Sequence, residues 1–176
     1  LPEGAAPDRF SWSADGARVA FTCTREEGVE LWVAEVATGE ARALTGPTLM
    51  AAGGQAFVWL PDGRLLARFV PGDRGAPPER PAVPSGPVTS ETQGRATPVR
   101  TLQDLLQDEH DMRLFEHHLR SQLAIVDLKG ERTDVGTPAI WTSVSPSPDG
   151  QWLLTGRTER PYSTLVGWDA FPERLD

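Results

Sequence analysis

One motif, used three times, limits the fold more than any other feature of this sequence. Phe10–Phe21, Phe57–Leu66 and Val144–Leu154 each read as a short apolar strand, an Asp-Gly pair and a second apolar strand. The pairs are Asp15-Gly16, Asp62-Gly63 and Asp149-Gly150. Asp-Gly suits a tight hairpin, because Gly and, more reluctantly, Asp accept positive φ. A second half-motif follows the first two copies. Leu31–Val36, then Thr38-Gly39, then Ala41–Thr45 is a strand, a turn and a strand, and Ser121–Leu128, Gly130 and Arg132-Thr133 repeat it.

One full unit is therefore four short antiparallel strands with a turn about every ten residues, the pattern of a propeller blade. Asp15 to Asp62 is a period of 47 residues, within the blade range of about 40–50. Asp62 to Asp149 is 87, so roughly 40 residues are inserted in the second unit. The expected fold is all-β: a partial β-propeller of about two and a half four-stranded blades, with a Pro-rich and helical insertion in the second. Blade one covers about 10–46. Blade two covers about 56–136, with the insert at 71–120, and an incomplete blade three covers about 141–176. In that last blade the pattern predicts strands near 141–146 and 151–157 and a third at Thr164–Trp168. Propellers close with about four to eight blades, so 1–176 reads as one domain belonging to a longer protein.

The insert has two parts. Residues 71–100 hold seven Pro and four Gly in thirty positions and few apolar residues, a composition that runs extended and builds no core. The period then turns helical. Thr101–Asp104 is similar to a capping box, and apolar residues at i, i+3 and i+4 continue through Met112, Phe115 and Leu119. This predicts one bent helix or a helical hairpin over about 101–120, docked on the second blade through Leu105, Leu106, Leu114 and Phe115.

Charge excludes some functions. The 25 acidic residues outnumber 17 basic ones, the net charge is −8, and no Lys/Arg cluster forms a phosphate-tracking stripe. Nucleic acid is not an expected partner. Sixteen Arg against a single Lys, Lys129, with abundant Ala, Gly and Pro, suggest a GC-rich bacterial source. No apolar run is long enough to span a membrane and no secretory leader is visible. A soluble chain is expected, with the compartment, cytoplasm or periplasm, unread.

The search for chemistry gives mostly negatives. There is no Gly-x-Ser-x-Gly elbow, no phosphate loop and no dinucleotide fingerprint. His110, His117 and His118 lie among acids, but no pair has the i, i+4 spacing of a helical zinc site. Cys23 alternates with Val19 and Phe21 and is read as an inert thiol at the blade interface. The six Trp are read as packing between blades. Asp15, Asp62 and Asp149 occupy equivalent repeat positions and are read as turn formers. The expectation is no catalytic, metal or cofactor site. Arg113 and Arg120 on the helical stretch, with Arg95 and Arg100 before it, are mostly solvated surface on charge patterning alone. A guanidinium fork is also suited to a carboxylate, which makes Arg113 and Arg120 candidate contacts to substrate or to a neighbouring domain.

The repeats resemble the propellers of prolyl-oligopeptidase-family serine peptidases and of TolB-like proteins. The insert is more specific. Arg100–Leu106, Leu114–Glu116, Ser121–Leu123, Thr142–Gly150, Arg160-Pro161 and Phe171-Pro172 are together similar to the glutamyl-endopeptidase-like branch of that peptidase family. The resemblance implies an N-terminal β-propeller portion whose partner is a C-terminal α/β-hydrolase domain with a Ser-Asp-His triad. None of the triad motifs falls in this sequence, so the catalytic domain is expected to be absent from it and the chain to be inactive alone. The resemblance further implies that the propeller caps the active site, admits peptides, and serves an enzyme that cleaves after acidic residues. The other reading is a TolB-like scaffold for protein–protein binding. Open blade edges predict self-association of the fragment.

Overall fold

The computed structural model describes residues 1, 5–81 and 105–176. The first sheet is one four-stranded antiparallel blade: β1 Ala6–Trp12, β2 Arg18–Arg25, β3 Gly28–Glu35 and β4 Ala41–Ala43, in that order. The second has six strands: β5 Phe57–Trp59, β6 Leu65–Phe69, β7 Ser121–Val126, β8 Arg132–Pro146, β9 Leu153–Thr158 and β10 Arg174–Leu175, in consecutive order. One α-helix, α1 Glu109–Leu119, lies between β6 and β7. These two strands pair directly, Phe69 opposite Gln122 and Leu65 opposite Val126, so the long excursion leaves and re-enters the blade without breaking it.

β8 serves two blades. Its first half pairs with β7 and its second half, Ile140–Pro146, pairs with β9. The change of partner follows Gly136, whose φ is 63°, and Pro138, which has no N–H to give a ladder. The sequence pattern suggests a break here, whereas one strand passes through.

The Asp-Gly turns are wider than the two-residue hairpin expected. Gly16, Gly63 and Gly150 have positive φ, but Asp15, Asp62 and Asp149 do not. Each Asp acts instead through its carboxylate, which accepts the N–H two residues on, at Ala17, Arg64 and Gln151. Ser13 and Ser147 add a hydroxyl bond to Asp15 and Asp149.

Period-two alternation divides β6 between two cores. Leu65, Ala67 and Phe69 pack with Ala20, Leu31, Val33 and Phe57 between the first and second blades. Leu66 faces the other way, toward Leu123 and Trp141 of the second and third. Cys23 is buried, but with Phe21 and Trp32 on the face of the first blade turned from the second, which corrects its expected place. Trp32 and Trp141 are core residues and Trp59 donates Nε1–H to Ser11 O at 3.0 Å, while Trp12, Trp152 and Trp168 are exposed rather than packed between blades.

The insert differs from the sequence reading in two ways within the described residues. The capping box at Thr101–Asp104 and most of the Pro-rich stretch lie outside the described residues. Residues 105–107 are not helical; α1 begins after Asp108, which has φ −145° and accepts the Asp111 N–H at 2.9 Å. Gln107 N–H donates in turn to Asp111 Oδ2, so an Asp-x-x-Asp cap four residues downstream of Asp104 ends the helix. The helix does not dock on the second-blade sheet. Met112, Phe115 and Leu119, with Leu106, pack against Ile140, Tyr162 and Phe171. Thr164–Trp168 is not a strand either: β10 takes that place, and the segment between loops out so that Tyr162 and Phe171 can meet the helix.

Candidate functional site

The two arginines read from the sequence share one face of α1. Arg113, Glu116, His117 and Arg120 are spaced i, i+3, i+4 and i+7, which stacks them along the helix. Together with Pro71, Asp73, Arg74 and Pro78 they line an open cleft of about 260 Å³. The proline-framed turn at 71–74 supplies the opposite wall. The structure therefore brings Arg113 and Arg120 together and adds Arg74, which the sequence gives no reason to single out. Arg95 and Arg100 lie outside the described residues.

Each cation in the cleft already has a partner. Arg113 Nε donates to Glu109 Oε1 at 3.1 Å, one turn back on the helix. Arg120 Nη1 reaches Asp73 at 3.4 Å, and its backbone N–H closes the helix on Glu116 O at 2.9 Å. Arg74 Nε donates to His117 Nε2 at 3.3 Å and its Nη2 lies 3.1 Å from His118 Nδ1. Desolvation, then the charge of Arg74 and the ring of His118, lower the His117 pKa, so this imidazole is neutral at pH 7 and accepts from the guanidinium. Glu116 and Glu109 also take Arg160: Nη1 on Glu109 Oε2 at 2.7 Å and Nε on Glu116 Oε1 at 2.5 Å. Tyr162 hydroxyl donates to the same Glu116 oxygen at 3.1 Å. The cleft is thus a solvent-open surface whose three arginines are set against Asp73, Glu109, Glu116 and two imidazoles. Among the described residues it carries no activated nucleophile. Among the described residues, no group of three or more His, Cys, Asp and Glu could hold a metal ion.

A second polar feature lies inside the molecule. Arg68 on β6 is 4% exposed and sits on the Leu66 side of the strand. Its Nε donates to Ser121 Oγ and its Nη1 to Gly53 O, both at 3.1 Å. Its Nη2 has no partner among the described residues. The sequence signal was available: Arg68 interrupts an otherwise apolar run from Leu65 to Val70.

Comparison with known proteins shows what this chain is similar to. No family model matches the chain. Two curated proteins match it along nearly its whole length: the probable chloroplastic glutamyl endopeptidases of Oryza sativa subsp. japonica and Arabidopsis thaliana, each 39% identical over 184 residues. Over nearly its whole length the chain resembles the glutamyl-endopeptidase-like branch of the prolyl-oligopeptidase family, as its propeller portion. It covers 99–100% of itself in these matches and about a fifth of either relative, 20% and 19%. Both relatives are plant proteins, so they lend no support to the bacterial source suggested by residue usage.

One solved structure agrees on the fold. An acylaminoacyl peptidase bound to a chloromethyl ketone matches with a TM-score of 0.52 at 15% identity, over 96% of this chain and 24% of that one. A prolyl endopeptidase matches with a TM-score of 0.49 at 16% identity, over 97% of this chain and 22% of that one. No helix among the described residues of this propeller portion is long and apolar enough to cross a membrane.

Proposed function

We propose that this chain, residues 1–176, is the non-catalytic propeller portion of a serine peptidase. In this reading an α/β-hydrolase domain of the same protein carries the triad. The propeller lies over that active site and restricts entry to peptides and unfolded segments, and the enzyme cleaves after acidic residues. The observation that carries it is the 39% identity, over essentially all of this chain, to proteins named as glutamyl endopeptidases. The helical insert supports it, since a plain scaffold has no need of the excursion between β6 and β7. The exposed cleft of Arg74, Arg113 and Arg120 is then the surface that meets the hydrolase domain or an acidic substrate.

Hydrolysis by the intact protein tests the reading. Short peptides should be cut after Glu, folded proteins should be refused, and a fluorophosphonate should label one serine outside residues 1–176. The isolated chain should show neither cleavage nor labelling. An intact protein that neither hydrolyses peptides nor reacts with the probe overturns the proposal. Arg113→Ala with Arg120→Ala should raise KM for acidic peptides severalfold and leave neutral peptides unchanged. Identical kinetics on both would reduce these arginines to surface charge.

A further inference from the structure

We propose that the cavity between the second and third blades is a carboxylate-binding site whose anchor is the free guanidinium edge of Arg68. The cavity is about 190 Å³. A cavity of about 150 Å³ can hold benzene, so this one accepts a carboxylate on a short methylene stem but not a length of backbone. Arg68 is on its wall with the apolar Phe57, Leu66, Leu123 and Trp141 and the neutral polar Gln55, Ser143 and Ser145, so it is the one charged residue of the lining. Thr142, at the bulge where β8 slips against β9, lines the same cavity, and its hydroxyl is likewise without a partner among the described residues.

The energetics favour an anion over water alone. A buried charge is normally paired, because desolvation penalises it heavily. Arg68 is buried and among the described residues has only neutral acceptors, Ser121 Oγ and Gly53 O. Elsewhere in the described chain Arg18, Arg157 and Arg160 have carboxylates within 4.0 Å, although all are more exposed. The charge that acts on Arg68 has the wrong sign: burial first, and then the charge of Arg9, lower its pKa to about 10. It still carries its proton at neutral pH. Arg9 itself donates to Gly54 O at 3.1 Å, one residue from the Arg68 contact at Gly53. Two cations thus converge on the Gly53-Gly54 turn without an acid between them. A carboxylate accepting from Nη2 would satisfy the open donor and neutralise the buried charge in one contact.

The site does not depend on the peptidase reading, and it leaves open whether the carboxylate belongs to a free small acid or to an acidic side chain of a peptide. Calorimetric titration of the intact protein with glutarate, with neutral glutaramide and with a reduced-bond peptide bearing one Glu distinguishes these cases. Glutarate should bind, glutaramide should not, and Arg68→Gln should weaken glutarate at least tenfold while Arg25→Ala, on the first blade beside Glu30, leaves it unchanged. Binding of the peptide with the same Arg68 dependence assigns a side-chain ligand; binding of glutarate alone assigns a free acid. No glutarate binding, or binding unaffected by Arg68→Gln, overturns the proposal. Should Arg68→Gln fail to fold, a glutarate-soaked crystal of the unsubstituted protein decides. A carboxylate within hydrogen-bond distance of Arg68 Nη2 upholds the site, and water alone there removes it. Bound glutarate in a protein without peptidase activity would leave this inference standing and the proposed function fallen.

Discussion

The guanidinium of Arg160 takes both oxygens of the Glu116 carboxylate, Nε on Oε1 at 2.5 Å and Nη2 on Oε2 at 3.1 Å. This fork fixes the inserted helix to the segment after β9, and Glu109 extends the contact to the helix start. Most exposed pairs contribute little, but a bidentate geometry shared by two carboxylates is the exception that counts. Arg160→Ala should lower stability by about 0.5–1 kcal/mol, with a smaller loss in high salt. Hydrogen exchange should show faster opening of 109–119 and no change in β2–β3. Unaltered protection of the helix would show that its apolar face alone holds it.

That apolar face is centred on Phe115, which meets Tyr162 edge-on at 5.1 Å and Phe171 at 5.7 Å. Complete burial would make Phe115→Ala cost about 3–5 kcal/mol; Phe115 is only partly buried, so about 2 kcal/mol is expected. Leu105 lines an open surface hollow before the helix and has no place in the aromatic cluster. Leu105→Ala should stay within about 1 kcal/mol, as surface changes usually do. Thermal melts of the two variants check the order, and equal losses would contradict this account of docking.

These contrasts show which parts of the molecule were legible in the sequence. The Asp-Gly turns and the period-two strands were, because each is decided within about ten residues by backbone conformation and side-chain alternation. Arg113 and Arg120 could be placed on one helical face for the same reason. The partner of that face could not. Leu106, Met112, Phe115 and Leu119 satisfy the helical pattern, but Tyr162 and Phe171 are some fifty residues away and carry no local mark of the contact. α1 starts where the Asp108 carboxylate accepts the Asp111 N–H, and Leu105–Gln107 stay outside the helix. Thr164–Trp168 has strand-like residues, yet Leu165 is exposed and the loop serves the Tyr162–Phe171 stack at 5.6 Å. Arg68 was visible only as an interruption; its meaning depends on Ser121 and Gly53, which the fold brings in.

Acid should destabilise the chain in two separate windows. The turn carboxylates have lowered pKa values: Asp15 through the Ser13 hydroxyl, Asp62 through the Arg64 side chain, Asp127 through the Glu131 N–H and Asp149 through the Ser147 hydroxyl. A carboxylate with a lower pKa folded than unfolded stabilises at pH values above its unfolded pKa, about 4, and loses that contribution as pH falls through the folded value. Below about pH 4 the Tm should therefore drop, less steeply in Asp149→Asn. His117 acts higher on the scale. Its lowered pKa means that the neutral form is favoured in the fold, so its contribution is present above about pH 6.5 and fades as the solution acidifies below that. His117→Gln should flatten the upper window and leave the lower one intact. A Tm profile with a single acid transition, unchanged by His117→Gln, would separate this imidazole from the stability of the helix.

The outer faces of the two end blades give the last expectation. On the first, Trp12 is 63% exposed and Phe10 stacks on Phe21 at 5.5 Å with one side open to solvent. On the third, Trp152 is 74% exposed and Leu154 is exposed beside it in sequence order two residues on. Among the described residues β1 pairs only with β2, so its other edge is open to another strand, with Ser11 O already accepting from Trp59 Nε1. Bare edges and apolar faces favour burial against another chain. The isolated 176-residue chain should self-associate, and light scattering should give a mass above 19.1 kDa that rises with concentration. Trp12→Glu and Trp152→Glu place a charge on each face without touching the cores around Leu65 or Leu66, so the double variant should shift toward monomer while keeping its strand content by circular dichroism. A strictly monomeric parent chain at every concentration would show that these faces are too small to drive association. An oligomer that survives both charges would move the interface to the β1 edge, where Ser11→Pro, which removes a backbone donor, becomes the deciding substitution.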